Sequence, residues 1–377
     1  MPCPLLPFEL LVSVLEMAFD DKESVTLQNC ALVCQTWRDV ARPYIFRKIK
    51  ITDESLLVAF EALINADSTV GMLVRKLIIQ PRTQQERTPS SWISGFPAVL
   101  PSYLTRLQTI QLVDFYDFGE YCDEGFFLAF SGFASVDRLI LCHCSLDLHL
   151  IYSCASALAG LHHLHIGPTS PLPSLLSDPP PQLHSPHLVS ITLDLGIMYP
   201  MALQEVLEWI MASPSKETLR SFRVTTRIAE AATVGNFIRE LGEIIQDLDL
   251  HFEQSFDLQF EYDLIKADIS LSYCTALRSL FVHDSNPTLP AFIALLSEVS
   301  SQHICSLSLQ VLSEAEDPAG LPDFGLLAGQ LDSYHLSTLK EVCFVYRGPL
   351  QRAVVLEKLR QDLPNTDTRG ILRLIMA

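Results

Sequence analysis

The amino-acid sequence predicts a small all-α module in residues 1–50, followed by an α/β repeat solenoid with a parallel sheet of short strands. Three observations predict this fold class. Apolar residues recur at helical spacing near the start of the chain. Further on, a short apolar pattern, x-L-x-x-L-x-L, returns every 25 to 35 residues. Amphipathic helical segments lie between its copies, as alternating strands and helices require.

Two or three short helices are expected within residues 1–50. Pro7 suits the first turn of a helix, and it is followed at helical spacing by Leu10, Leu11, Val14, Leu15 and Ala18. Thr26 is the predicted N-cap of a second helix, with an apolar face of Leu27, Cys30, Ala31 and Cys34. The apolar face then shifts, which predicts a bend or a third helix near Gln35. Pro43 is expected to end the helical stretch, because the residue before a proline avoids the α region.

An ordered set of short motifs occupies the same residues. It comprises Leu6-Pro7-Phe8-Glu9-Leu10-Leu11, Val14-Leu15, and Leu32-Val33-Cys34-Gln35-Thr36-Trp37-Arg38. The set resembles the F-box motif of ubiquitin-ligase subunits. The segment Ala41-Arg42-Pro43-Tyr44-Ile45-Phe46-Arg47 resembles the one that closes the motif in many fungal members. The resemblance depends on the order and spacing of the Leu-Pro, Val-Cys and Trp-Arg pairs, rather than on any one of them.

The resemblance implies that residues 1–50 bind a Skp-type adaptor, which is itself attached to a cullin scaffold. The residues implied to contact the adaptor are Leu6, Pro7, Leu10, Val33, Cys34 and Trp37. An exposed aliphatic patch with an aromatic anchor is what a helix-in-groove interface needs. The alternative is that Trp37 is only a core residue of a small helical bundle, and the two roles can coexist.

The rest of the chain, residues 51–377, carries ten copies of the apolar pattern. Their middle positions are Leu77, Ile110, Leu139, Leu164, Ile191, Phe222, Leu248, Leu280, Leu307 and Val342. Stacked strand–helix units of this length predict an irregular leucine-rich-repeat-like solenoid, in which each repeat buries its leucines against its neighbours. The alternative is an ordinary α/β domain with a closed core. Residues 168–187 are rich in proline and are expected to form a surface loop inserted in the array.

The charge balance bears on the partners. Asp and Glu number 44 against 26 Lys and Arg, a net charge of −18, and this argues against sequence-independent nucleic-acid binding. The apolar N-terminus lacks a basic segment and is interrupted by Glu9 and Glu16, so it does not read as a signal peptide. No apolar run reaches the length of a membrane span. We therefore expect a cytoplasmic or nuclear protein without a membrane partner.

Candidate chemistry is sparse. Cys142-His143-Cys144, with His162, His163 and His165 nearby, allows a zinc site to be drawn. The repeat register favours the alternative, in which Cys144 is a structural residue turned inward at the end of a strand. Motifs for phosphate loops, nucleophile elbows and metalloproteases are missing from the sequence. We expect no catalytic site, no metal and no cofactor.

These observations lead to one functional expectation. The chain is expected to be a non-catalytic substrate-receptor subunit of an SCF-type cullin ubiquitin ligase, with the repeats binding an unidentified target protein. The first alternative is a protein-binding scaffold that uses the F-box outside ubiquitination. An enzyme with an unrecognised site is the second.

Overall fold

The computed structural model describes residues 10, 12–15, 24–81, 91–115, 122–144, 148–168, 185–194, 200–253, 265, 267–284, 289–333 and 336–377. They divide into two compact units. The first reaches to Leu161 and includes Ser185, and the second comprises His162 onward. The division proposed from the sequence, with a boundary after residue 50, stays a prediction.

The N-terminal part of the first unit is helical. Leu10 and residues 12–15 have helical backbone, and two further helices span Ser24–Ala31 (α1) and Gln35–Ile45 (α2). Thr26 lies inside α1, so the N-cap predicted there is wrong. Pro43 lies inside α2 and does not end it. The ring is exposed and close to the end of the helix, where a proline removes only one backbone hydrogen bond.

The remainder of the first unit alternates strands with helices. Its strands are β1 (Lys48–Ile51), β2 (Lys76–Ile79), β3 (Thr109–Val113) and β4 (Arg138–Cys142). Its helices are α3 (Glu54–Ala66), α4 (Ser68–Leu73), α5 (Ser91–Val99), α6 (Glu124–Phe130) and α7 (Leu148–Ala157). The carboxylates of Asp53 and Asp123 cap α3 and α6 by accepting from the backbone N–H three residues later.

The second unit continues the alternation. Its strands are β5 (His163–Ile166), β6 (Ser190–Asp194), β7 (Ser221–Arg227), β8 (Asp247–Glu253), β9 (Ser279–Asp284), β10 (Ser306–Leu312), β11 (Glu341–Arg347) and β12 (Leu372–Met376). Its α-helices are α8 (Pro200–Ala212), α9 (Ser215–Thr218), α10 (Ala231–Leu241), α11 (Leu289–Ser297), α12 (Gly325–Leu331), α13 (Arg352–Asp362) and α14 (Pro364–Thr368). Short 3-10 helices span Ile228–Glu230 and Pro318–Gly320.

The strand pairing follows the sequence pattern closely. In the first unit Leu77 pairs with Ile110 and Ile110 with Leu139. In the second unit the paired middle positions run through Leu164, Ile191, Phe222, Leu248, Leu280, Leu307 and Val342. Every one of these pairings is parallel and joins strands that are neighbours in the chain. The predicted parallel sheet of short strands is therefore confirmed, and its order is that of a stacked repeat array.

Two strands were not predicted. β1 continues the array of the first unit through the Ile49–Leu77 pair, although most of it lies within residues 1–50, which were expected to be all-α. β12 continues that of the second unit through the Val342–Leu372 pair. Its sequence has Arg369 where the pattern requires an apolar first residue, so it does not match the pattern.

Burial alternates along the strands, which fixes the two faces of each sheet. In β3, Ile110 and Leu112 are buried while the residues between and beside them are half-buried. In β5, Leu164 and Ile166 are buried, and His163 and His165 alternate with them on the other face. Residues 169–184 of the proline-rich segment lie outside the described residues, so its loop conformation stays a prediction.

Candidate functional site

The helical region is held together by one small apolar cluster. Leu15, Leu27, Val40 and Ala41 form its buried centre. Partly buried side chains pack around this centre from all three helical stretches: Val12, Cys30, Ala31, Trp37, Tyr44 and Ile45. The cluster uses one face of each helix, so apolar residues on the other faces are left outside it.

Several large apolar side chains lie outside the cluster and face solvent. Leu10 is 53% exposed, Leu32 83% and Val33 56%. Val14 and Val25 are also exposed, although Leu15 and Leu27 in the same helical segments are buried. Single exposed leucines are ordinary, but five exposed aliphatic side chains within a region of this size make it a candidate binding surface. We call Leu10, Leu32 and Val33 the apolar patch.

The turn between α1 and α2 explains why Leu32 and Val33 are exposed. The N–H groups of Leu32 and Val33 donate to the carbonyls of Asn29 and Cys30, closing α1 with a tight turn. Cys34 is then extended, with φ −164° and ψ 174°, and its carbonyl accepts from Arg38 N–H at the start of α2. The side chains at 32 and 33 therefore point away from the helix faces that meet the cluster.

The predicted contact residues take different places. Leu10 and Val33 are exposed, as an adaptor contact must be, and Cys34 is half-buried. Trp37 is also half-buried and packs against the apolar cluster, so it is a core residue with a remaining exposed part. Leu6 and Pro7 lie outside the described residues. The contact assignment as a whole stays a prediction.

Leu32, Val14 and Val25 were missed as candidates. Leu32 was part of the quoted motif but was not assigned a contact. Its signal is that it is apolar yet out of phase with Leu27, Cys30 and Ala31, which form the buried face of α1. An apolar residue out of phase with the core face of a helix is a contact candidate, and this criterion would also have selected Val25.

A polar contact fastens the helical region to the repeat that follows it. Arg42 of α2 forms an ion pair with Asp67, and its guanidinium also donates to the Thr69 hydroxyl at 3.2 Å. Asp67 in turn caps α4 by accepting from the Thr69 N–H at 3.0 Å. The hydrogen bond from the Thr69 hydroxyl, followed by that from Arg42, lowers the pKa of the Asp67 carboxyl.

Three cysteines of the first unit, Cys122, Cys144 and Cys154, are buried thiols. Cys144 is buried, and its thiol lies 3.2 Å from the Cys142 carbonyl and 3.5 Å from that of Leu112. Burial raises the pKa of Cys144 to about 12 and also raises the pKa values of Cys122 and Cys154. A raised pKa disfavours the thiolate that metal binding and nucleophilic attack need. Across the described ranges, no three His, Cys, Asp or Glu side chains are grouped so that they could hold a metal ion.

Comparison with known families gives one match. A family model described as F-box-like matches residues 3–52, a range that contains the apolar cluster, the apolar patch and all six predicted contact residues. The chain thus carries an F-box-like domain at its N-terminus. A search of curated proteins finds no match. None of the helices in the described ranges combines the length and the unbroken apolar composition that crossing a bilayer requires.

Proposed function

We propose that this chain is the substrate-receptor subunit of an SCF-type cullin ubiquitin ligase. The F-box-like domain docks a Skp-type adaptor, and the adaptor connects the chain to a cullin. The observation that carries the proposal is the match at residues 3–52 together with the exposed apolar patch inside it. A packed cluster that holds such a patch at the surface is what a helix-in-groove interface needs.

The strand–helix array is proposed to be leucine-rich-repeat-like and to bind the target protein. Support comes from the chain-order parallel pairing and from the repeated burial of the leucine positions. Stacked repeats present a row of side chains on their sheet face, and such rows bind proteins in many repeat families. Residues 41–47 lie within the F-box-like match, and their resemblance to the closing segment of many fungal members supports the proposal of a fungal-type F-box protein.

The chain itself is proposed to be non-catalytic. It holds the target near the conjugating enzyme, which raises the effective concentration of target lysines. Function in this role places the protein in the cytoplasm, the nucleus or both. The catalytic chemistry belongs to other subunits of the ligase.

A pull-down with a purified Skp-type adaptor tests the docking step. Val33→Asp places a charge in the apolar patch and should abolish capture, because the charge would lose its water in the interface. Leu326→Asp is the matched control, since Leu326 is 57% exposed against 56% for Val33 and lies far along the chain in α12. Capture of the Val33→Asp variant at the level of the control would contradict the assignment of the patch.

A second experiment separates ubiquitination from a scaffold role. The adaptor complex is mixed with cullin and with the ubiquitin-activating and ubiquitin-conjugating enzymes, and proteins co-purified with the chain are examined for ubiquitin. We expect cullin in the complex and ubiquitin on a co-purified protein. An adaptor complex that never includes cullin would instead favour the F-box scaffold acting outside ubiquitination.

A further inference from the structure

One face of the sheet in the first unit is basic, although the chain as a whole has a negative net charge. Leu77, Ile110 and Leu139 point into the core, so the residues beside them in the strands lie on the opposite face. Four cations occupy that face: Lys48, Lys50, Lys76 and Arg138. We call these four residues the basic patch. Strands β1 to β4 contain no Asp or Glu at all.

The register brings these cations together. Lys48 pairs directly with Lys76 on the neighbouring strand, Lys76 pairs with Thr109, and Thr109 pairs with Arg138. Adjacent strands lie about 4.8 Å apart, so three cations stand within about 15 Å along one row. Burial, and then the charges of Lys48 and Arg138, lower the pKa of Lys76. Like charges opposite each other on neighbouring strands destabilise a sheet.

Within the described residues, no ion pair neutralises the cations of the basic patch. In the described part of the chain, none of the four has a carboxylate oxygen within the 4.0 Å of an ion pair. The sheet of the second unit is different. There Arg223 contacts Asp249 at 2.5 Å and Arg373 contacts Glu341 at 3.2 Å. Repulsion among unpaired cations is relieved when an anionic ligand binds.

We propose that the basic patch binds an acidic segment of the target protein, one rich in Asp and Glu. This inference rests on the proposed function, in which the repeat region takes a target, and it adds the chemistry of the target and the place where it binds. The carboxylates of the segment meet the ammonium and guanidinium groups of the four cations, while Thr109 and Gln111 of β3, on the same face, offer hydrogen bonds.

The arrangement of the cations favours carboxylates over a phosphate group. A phosphate is bound by cations that converge on one point, most often by the forked donors of arginine. Three of the four cations here are lysines, and they are spread over several strands. Lys48 and Lys50 alternate along one strand about 6.8 Å apart, which is also the spacing of alternate side chains in an extended peptide.

The total charge of the chain disfavours nucleic acid as the ligand. A long polyanion interacts with the whole molecule, whose net charge is −18. A short acidic peptide is affected mainly by charges within about 8 Å at physiological salt, which is the screening length there. Local cations can therefore attract a peptide from a protein that repels a polyanion.

Fluorescence anisotropy with the full chain tests the proposal. The probe is a labelled peptide of alternating Glu and Ser, compared with the same peptide in Gln and Ser, a phosphoserine peptide and a short single-stranded DNA. We expect the Glu peptide to bind at least about tenfold more tightly than the Gln peptide, since several exposed ion pairs of modest strength add up. Added salt should weaken this binding.

Variants locate the binding site. The triple change Lys48→Gln, Lys76→Gln, Arg138→Gln should weaken binding of the Glu peptide by about tenfold or more. Its matched control is Lys216→Gln, Lys340→Gln, Arg347→Gln, which changes the net charge equally at exposed positions of the second unit and should leave binding unchanged. Lys48→Gln with Lys50→Gln, both at exposed positions, gives a second variant that spares half-buried Lys76.

The outcomes separate this inference from the proposed function. Three results would each overturn it. The first is equal binding of the Glu and Gln peptides, and the second is an equal loss of binding in the triple variant and its control. The third is tighter binding of the phosphopeptide or the DNA than of the Glu peptide. The triple variant should still capture the Skp-type adaptor as the wild type does. Adaptor capture without peptide binding would reject the basic patch alone, and peptide binding without adaptor capture would reject the docking role alone.

Discussion

Trp37 and Val33 stand four residues apart in one motif and take different roles. Trp37 packs against the apolar cluster, so its loss removes contacts within the helical region. Val33 lies outside the cluster and is exposed. We therefore expect Trp37→Ala to destabilise the helical region by about 2 kcal/mol, less than a fully buried tryptophan would cost. Amide hydrogen exchange of residues 24–45 measures the effect.

Val33→Ala is the control for this measurement, because the removed methyl groups touch solvent rather than the cluster. Exchange in residues 24–45 should speed up about thirtyfold in Trp37→Ala and stay unchanged in Val33→Ala, since 1.4 kcal/mol corresponds to a factor of ten. Equal exchange in the two variants would show that Trp37 does not support the fold of the helices.

The ionisation of Asp67 should make the stability of the folded protein depend on pH, because its carboxylate pairs with Arg42 of the helical region. Its pKa is lowered in the folded protein from the ordinary value of 3.8, so the charged form stabilises the folded state. That stabilisation is complete above about pH 4 and is lost as the pH falls through the lowered pKa. Asp67→Asn should therefore lower the melting temperature at neutral pH, and its difference from the wild type should shrink below pH 4.

Glu217→Gln serves as the control for the pH series, since Glu217 is exposed and lies in the second unit. Its melting temperature should differ from that of the wild type by little at any pH between 3 and 7. A constant difference between Asp67→Asn and the wild type down to pH 3 would contradict the role assigned to the Arg42–Asp67 contact.

At the scale of elements, the close approach of a helix to the connection between β8 and β9 depends on glycine. Gly235 lies in α10, and a Cβ atom there would stand 1.9 Å from the carbonyl oxygen of Asp268. The Asp268 carbonyl belongs to the backbone and cannot move aside as the end of a flexible side chain can. Gly235→Ala should therefore destabilise the second unit by about 3 kcal/mol. Thermal unfolding monitored by circular dichroism provides the measurement.

Gly329 in α12 is the matched position, because nothing lies within 4 Å of a Cβ atom placed there. Alanine also favours a helix over glycine, so Gly329→Ala should stabilise by about 0.5 kcal/mol. A similar melting temperature for both alanine variants would show that α10 does not approach the Asp268 connection closely.

The strands were predictable from the sequence because buried apolar residues alternate with more exposed ones along each strand. Only one pairing register between neighbouring strands keeps all the apolar residues on the core face. The paired middle positions Leu77, Ile110 and Leu139 illustrate this. The end of α2 was not predictable from the sequence. The residue before a proline, here Arg42, prefers to leave the α region, but this preference is local and a distant contact can override it. The contact of Arg42 with Asp67, 25 residues later, is a tertiary interaction that overrides it.

The contact residues were partly predictable for a related reason. Leu10 and Val33 were selected through the resemblance, and both are exposed. Leu32 was not selected, although it is the most exposed of the three, because the resemblance assigns it no contact and its signal lies only in its phase against the core face of α1. The basic patch escaped notice because Lys48, Lys76 and Arg138 are far apart in the chain and adjacent only through the sheet.

At the scale of the whole molecule, charge is organised by region rather than spread evenly. The chain has a net charge of −18, yet strands β1 to β4 of the first unit contain no Asp or Glu and carry four cations on one face. Strands of the second unit contain Asp247, Asp249, Glu253 and Glu341. A net charge describes solubility and long-range repulsion, whereas partner choice depends on such local regions.

The two proposed binding functions use different chemistry. Adaptor docking relies on aliphatic side chains in the F-box-like domain and should change little with salt, because apolar burial is not screened. Peptide binding at the basic patch relies on exposed charges and should weaken with salt. This difference allows both to be measured on one protein without one masking the other.

The most direct test of the central claim is the affinity of the full chain for a Skp-type adaptor, measured by isothermal titration calorimetry. The wild type should bind one adaptor per chain, and Leu32→Ala with Val33→Ala should weaken binding by about tenfold or more. The exposed pair Leu128→Ala with Leu326→Ala should bind as the wild type does. An adaptor that fails to bind the wild type, or that binds the patch variant unchanged, would contradict the account.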